Sequence, residues 1–226
     1  FDGTLTKKDQ NIWKMLWQKL GYPTDKTSLY AELYIEHMIK KSITRNEWFD
    51  LTCYAFKQKG MDKQILINVT KQIELINGFN ETIKTLHDNG YSLYILSGCI
   101  RQSIHMLLGE NAKYFTHIES NDAIFNSQGK LIKLRPTPYD YEGKADYIEK
   151  LKNKTHTKVN EIIFVGNGDN DEWVHLSGCK TICINPQNTE SNNKKKWHIC
   201  KENVNNLTEI LDCFDIKQAS QNEETL

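Results

Sequence analysis

The sequence predicts an α/β fold, a doubly wound parallel sheet with a long block of helices set into it. Three observations predict it. Short apolar runs such as Ile162-Ile163-Phe164-Val165-Gly166 have the composition of strands buried on both faces of a parallel sheet. Helical patterns stand between these runs, so strand and helix alternate as in βαβ units. Between about residues 10 and 75 the pattern is helical throughout, with no convincing strand.

Taken in order, residues 12–20 place Ile12, Leu16 and Leu20 on one helical stripe, with Trp13 and Trp17 beside it. Residues 28–40 read as a second helix. Thr44 followed by Glu47 is a capping box, which opens a third helix that Gly60 ends. A fourth covers 62–75. Then the pattern changes. A helix over 79–89 is followed by Gly90 and the apolar strand 91–96, which runs into Ser97-Gly98. A helix over 100–109 leads to a hairpin over 123–134 with Gly129 at its turn. Helix 143–153 precedes the strands 162–166 and 179–185. The polar segment after Asp215 reads as a frayed tail.

The 226 residues are enough for one or two domains. Lys and Arg (29) balance Asp and Glu (29), which argues against a nucleic-acid binder, since neutralising phosphates calls for net positive charge. No run approaches the ~18 apolar residues of a membrane helix, so no membrane partner is expected. The six cysteines form no C-x-x-C pair and read as free thiols of a reducing, cytoplasmic compartment.

Four segments carry chemistry: Phe1-Asp2-Gly3-Thr4-Leu5-Thr6, Leu96-Ser97-Gly98, Lys144 at a helix start, and Gly166-Asn167-Gly168-Asp169-Asn170-Asp171. Ligands of an open α/β sheet bind beyond the carboxyl ends of its strands, so the first, second and fourth segments converge on one crevice. Carboxylates with an amide suit a hard cation such as Mg2+. A hydroxyl, backbone N–H groups and one Lys suit a phosphate. Together they describe metal-assisted phosphoryl chemistry. Singly, each segment also reads as an ordinary turn, helix cap or solvated charge.

With these motifs in this order, the chain resembles the haloacid dehalogenase-like phosphatases, in their phosphoserine phosphatase-like branch. The resemblance runs from residue 1 to about 210. It implies a Rossmann-like core at 1–8 and 79–215, an inserted all-helical cap at 9–78, and a flexible tail at 216–226. It implies hydrolysis of a small phosphorylated metabolite through an aspartyl-phosphate, with Mg2+ as cofactor, in a monomer or homodimer. The family's nucleophilic Asp would stand immediately before Phe1, where the motif is cut in mid-strand, so a residue is expected ahead of it. Asp2 would be the acid and base, and its presence separates a phosphatase from a dehalogenase. Ser97, Gly98, Lys144 and Asn170 would hold the phosphate. Asp2, Asn167 and Asp171 would hold the metal, with Asn167 standing where the family usually has an Asp.

At the spacing of the two substrate-binding cap residues of phosphoserine phosphatases stand Asp9, in place of a Glu, and Arg45. Over residues 6–75, twelve Lys and Arg exceed eight Asp and Glu, so the cap is mildly basic and suits an anionic substrate. Trp13, Trp17, Trp48 and Phe49 read mostly as the cap's own core. The alternative from another class is a non-catalytic protein of the same fold that binds a phosphorylated metabolite. A receiver-type phosphoacceptor domain fits less well, because the helical block is too large for one.

Overall fold

A computed structural model describes residues 1–187 and 196–216. The first six residues form a tight turn, in which the N–H groups of Thr4, Leu5 and Thr6 all converge on the Phe1 carbonyl. Gly3 sits at φ +71 with the Asn167 side chain against it, and a Cβ there would lie 2.2 Å from Asn167 Nδ2. Only glycine permits both the backbone and that approach.

The chain then enters four helices: α1 (Ile12–Lys19), α2 (Leu29–Tyr34), α3 (Arg45–Gln58) and α4 (Lys63–Thr70). Side chains cap each of them. Asn11, Ser28 and Asp62 accept from backbone N–H groups at their helix starts, and Thr44 and Glu47 form the expected capping box. The second helix is shorter than the pattern implied, because Ile35–Ile39 winds into a π-helical turn. The fourth ends at Thr70, where the chain turns instead of continuing to 75. Entry and exit strands of this block lie side by side: Thr6 bridges Leu75, Ile76 N–H donates to the Leu5 carbonyl, and Lys7 pairs with Glu74.

The remainder alternates as predicted: α5 (Phe79–Asp88), β1 (Leu93–Ile100), α6 (Arg101–Leu108), β2 (Phe115–Phe125), β3 (Leu131–Arg135), α7 (Gly143–Thr155), β4 (Ile163–Gly166), β5 (Lys180–Ile184) and β6 (Ile199–Lys201). Among the described residues the strands form two three-stranded sheets, β1-β2-β3 and β4-β5-β6. All pairs are parallel except the β2–β3 hairpin. The first half of β2 and the whole of β6 escaped the sequence pattern. Strand β3 packs on α3, and the hairpin also meets the helices where Leu131 N–H donates to the Met61 carbonyl. One hydrophobic core therefore runs from Ile12, Leu16 and Phe56 through Ile95 and Ile104 to Ile182 and Leu207. Of the expected tail, 217–226 lies outside the described residues.

Candidate active site

The site forms where the first turn, the end of β1, the start of α7 and the loop after β4 meet beneath α1–α3. From Tyr94 to Ser97 strand β1 is in register with β2, and the register shifts before Ile100. That irregularity takes Gly98 and Cys99 out of the ladder and turns their backbone toward the crevice. Ser97 is buried and its Oγ accepts from the Cys99 N–H at 3.0 Å, which leaves the hydroxyl proton available to an incoming acceptor. The Gly98 carbonyl is held from two sides, by Trp13 Nε1 and by Asn121 Nδ2, each at 2.7 Å.

Lys144 is one of the largest fully buried side chains of the protein. A buried ammonium needs a partner, and Lys144 has one in the Asp171 carboxylate. Asp171 also accepts from the N–H groups of Asn167 (3.0 Å) and Gly168 (3.2 Å). Burial by itself would raise its pKa, but the Lys144 charge and these hydrogen bonds hold it below the ordinary carboxylate value. Asn167 is buried, and its Oδ1 accepts from the Thr4 hydroxyl at 3.1 Å.

Asp2 is the contrasting carboxylate. Its Oδ1 is enclosed and without a hydrogen-bond partner. Burial raises its pKa, against smaller opposing effects that include the Ile12 backbone, the Cys99 thiol and Lys144. Two carboxylates in one crevice are thus pushed apart, Asp171 toward the ionised form and Asp2 toward the protonated one.

These residues line a cavity of about 250 Å³. The structure brings Asp2, Ser97, Gly98, Lys144, Asn167, Asn170 and Asp171 together around it. It does not bring Asp9 there, which is exposed with φ +66. Arg45 is not part of the lining either. Its Nη1 donates to the Thr137 carbonyl at 3.0 Å, and its charge acts on Asp140.

Asp140 was not foreseen. It is buried beside Gly98, accepts from Asn121 Nδ2 at 3.2 Å, and lines the cavity. Its only sequence signal was an acid a few residues before Lys144. The aromatic lining was also missed: Trp13, Trp48 and Phe49 face the cavity as well as the helical core.

The Asn167 amide and the Asp171 carboxylate, both buried, are oxygens of the kind a hard cation takes. Among the described residues no three His, Cys, Asp or Glu side chains form a metal cluster. The donor set would comprise the Asp171 carboxylate, the Asn167 amide and the Asp2 backbone carbonyl, all oxygens as a hard cation prefers, with the Asp2 side chain left free.

A mainly parallel α/β core, a helical insertion above it and a crevice of this composition define a class of hydrolase. The profile of the haloacid dehalogenase-like hydrolases matches residues 1–171, and the chain belongs to that family. Within it the chain is phosphoserine phosphatase-like. It is 24% identical over 155 residues to the phosphoserine phosphatase of Lactococcus lactis subsp. lactis (strain IL1403), covering 68% of this chain and 69% of that one. The fold is that of a phospho-aspartyl intermediate analogue of phosphoserine phosphatase, with a TM-score of 0.72 at 20% identity over 96% of each chain. The HAD family hydrolase t0658 of Salmonella enterica serovar Typhi also has a TM-score of 0.72, at 17% identity over 93% of this chain and 67% of that one.

Proposed function

We propose that the protein is a magnesium-dependent phosphatase that hydrolyses a small phosphomonoester through an aspartyl-phosphate, with residues 9–78 acting as a cap over the site. The nucleophile is the aspartate expected immediately before Phe1. Its carboxylate attacks phosphorus and the ester P–O bond breaks. Asp2 gives its proton to the departing oxygen. Water then attacks the acyl-phosphate, Asp2 takes its proton, and inorganic phosphate leaves. The Ser97 hydroxyl and the backbone after it bind the phosphoryl oxygens, and Lys144 offsets their charge. The Asp2 backbone carbonyl with the Asn167 and Asp171 side chains would hold Mg2+, which when bound supplies positive charge near the phosphoryl group, and the Asp2 carboxyl stays free for the proton. Trp13 links the cap to the phosphate loop through its bond to the Gly98 carbonyl.

The observation that carries this reading is the Asp2 carboxyl in the same crevice as the Lys144–Asp171 pair, its enclosed Oδ1 without a hydrogen-bond partner. It supports an acid kept protonated next to a phosphate site. The test is hydrolysis of p-nitrophenyl phosphate by the full-length protein with Mg2+. Asp2→Asn should lower kcat by about 10²–10⁴-fold, the usual worth of a general acid. Turnover no greater than that of Asp2→Asn would make the protein a binder of phosphorylated metabolites instead. Among the described residues no helix is long and apolar enough to cross a membrane.

A further inference from the structure

The cavity is not uniform. Its phosphate end is polar, formed by Ser97, Gly98 and Lys144. Aromatic side chains line the cavity as well, and they come from four separate places: Trp13 of α1, Tyr30 and Tyr34 of α2, Trp48 and Phe49 of α3, and Tyr141 of the loop before α7. Edge-to-face contacts fix these rings. Trp13 meets Phe49 at 5.6 Å and 81°, Trp48 meets Phe49 at 5.8 Å and 76°, and Tyr34 meets Trp48 at 6.5 Å and 75°. Trp48 also lies against the His37 ring at 4.8 Å and 31°, which covers one of its faces and leaves the other.

Acidic side chains outnumber basic ones in the described lining. Among the described residues, Asp2, Asp140, Asp169 and Asp171 bring carboxyl groups to the lining and Lys144, paired with Asp171, is its one Lys or Arg; burial pushes Asp2 and Asp140 toward the protonated form. Arg45, the residue expected to meet a substrate carboxylate, is not in the lining: its Nη1 donates to the Thr137 carbonyl, its charge acts on Asp140, and its buried Nε has no hydrogen-bond partner. A leaving group with a carboxylate would face acids and π-clouds, and an uncharged polyol would meet mostly ring faces. An organic cation suits both features, because ring quadrupoles attract it and acidic side chains do not repel it. Quaternary ammonium needs no hydrogen-bond acceptors, which ring faces do not supply.

We infer that the substrate is the phosphomonoester of a small alcohol bearing a quaternary ammonium, its cation against the Tyr30, Tyr34, Trp48 and Tyr141 walls and its phosphate at Ser97 and Lys144. This rests on the phosphatase reading above and narrows it. Hydrolysis breaks the P–O ester bond, with water supplying the hydroxyl to phosphorus and the proton to the alcohol.

The experiment compares three compounds on the full-length protein with Mg2+: phosphocholine, its uncharged carbon isostere 3,3-dimethylbutyl phosphate, and O-phosphoserine. The expected kcat/KM for phosphocholine is at least tenfold above each of the others. Trp48→Leu should bring the ratio of phosphocholine to isostere close to one, and Trp48→Phe, which restores a ring, should recover most of it. Equal rates for phosphocholine and its isostere would overturn the inference, and so would a preference for phosphoserine. Binding is read on the same protein by tryptophan fluorescence. If p-nitrophenyl phosphate is not hydrolysed, the phosphatase reading fails by itself. Tighter saturation by phosphocholine than by the isostere would then still support the cation site, and equal or absent binding would overturn it.

Discussion

At the scale of single residues, the site depends on how few charges are left to chance. Asn167 stands in the loop after β4 with its Oδ1 on the Thr4 hydroxyl and its Nδ2 against Gly3. As a metal donor it brings an oxygen and no charge. Affinity for a divalent cation rises with ligand charge at fixed geometry. Asn167→Asp should therefore tighten Mg2+ binding, by roughly tenfold if the added charge is worth ~1.4 kcal/mol. A magnesium titration at saturating substrate, with a parallel calorimetric titration, checks it, and an unmoved midpoint would remove Asn167 from the donor set. The residues of this loop, with Asp2, Ser97 and Lys144, were legible in the sequence because each sits at a strand end or helix start, where ligands of such sheets gather. Asp140 and the ring faces were not legible. A tryptophan at helical spacing reads as core, and Trp13 and Trp48 do pack into the core while also presenting to the cavity.

At the scale of elements, legibility follows the strength of local signals. The capping box at Thr44 named its helix start, and the wholly apolar β4 and β5 named themselves as buried strands. The first half of β2 failed because Thr116, His117, Glu119, Ser120 and Asn121 carry no apolar alternation. Its backbone is held instead by Arg101, whose guanidinium takes the carbonyls of Ile118 and Ser120 and the Asp122 carboxylate. Helix α7 shows a further kind of constraint. Its first residue, Gly143, lies so close to the preceding loop that a Cβ would come within 1.8 Å of the Pro138 carbonyl oxygen. That contact sets the start of the helix one residue before Lys144. Gly143→Ala should cost about 1–3 kcal/mol as an overpacking change. It should also lower turnover, since moving the loop moves Lys144 and Asp140 with it. Thermal denaturation and kcat on the same preparation test this; a stable variant with full activity would refute the account.

At the scale of the whole molecule, the question is whether helices and sheets are one cooperative unit. Sequence reasoning separates a helical block from an α/β core, and the paired strands Leu5–Lys7 and Glu74–Ile76 do tie the ends of that block together. Yet the buried side chains do not divide there. Phe56 of α3 is fully buried against Trp17 at 5.0 Å, and α3 packs on β3 of the first sheet. The α4 residue Thr70 shares a buried 2.7 Å hydrogen bond with Ser103 of α6. A core continuous across both parts couples their stabilities, because exposing one strips contacts from the other. Phe56→Ala should therefore destabilise the protein by ~3–5 kcal/mol, and the loss should appear in both parts. In urea, the far-UV circular dichroism midpoint and the tryptophan fluorescence midpoint should coincide in the wild type. Both should fall together in Phe56→Ala with the slope unchanged. A fluorescence transition that moves alone, ahead of the dichroism, would mean that the helices around Trp13, Trp17 and Trp48 melt as an independent unit.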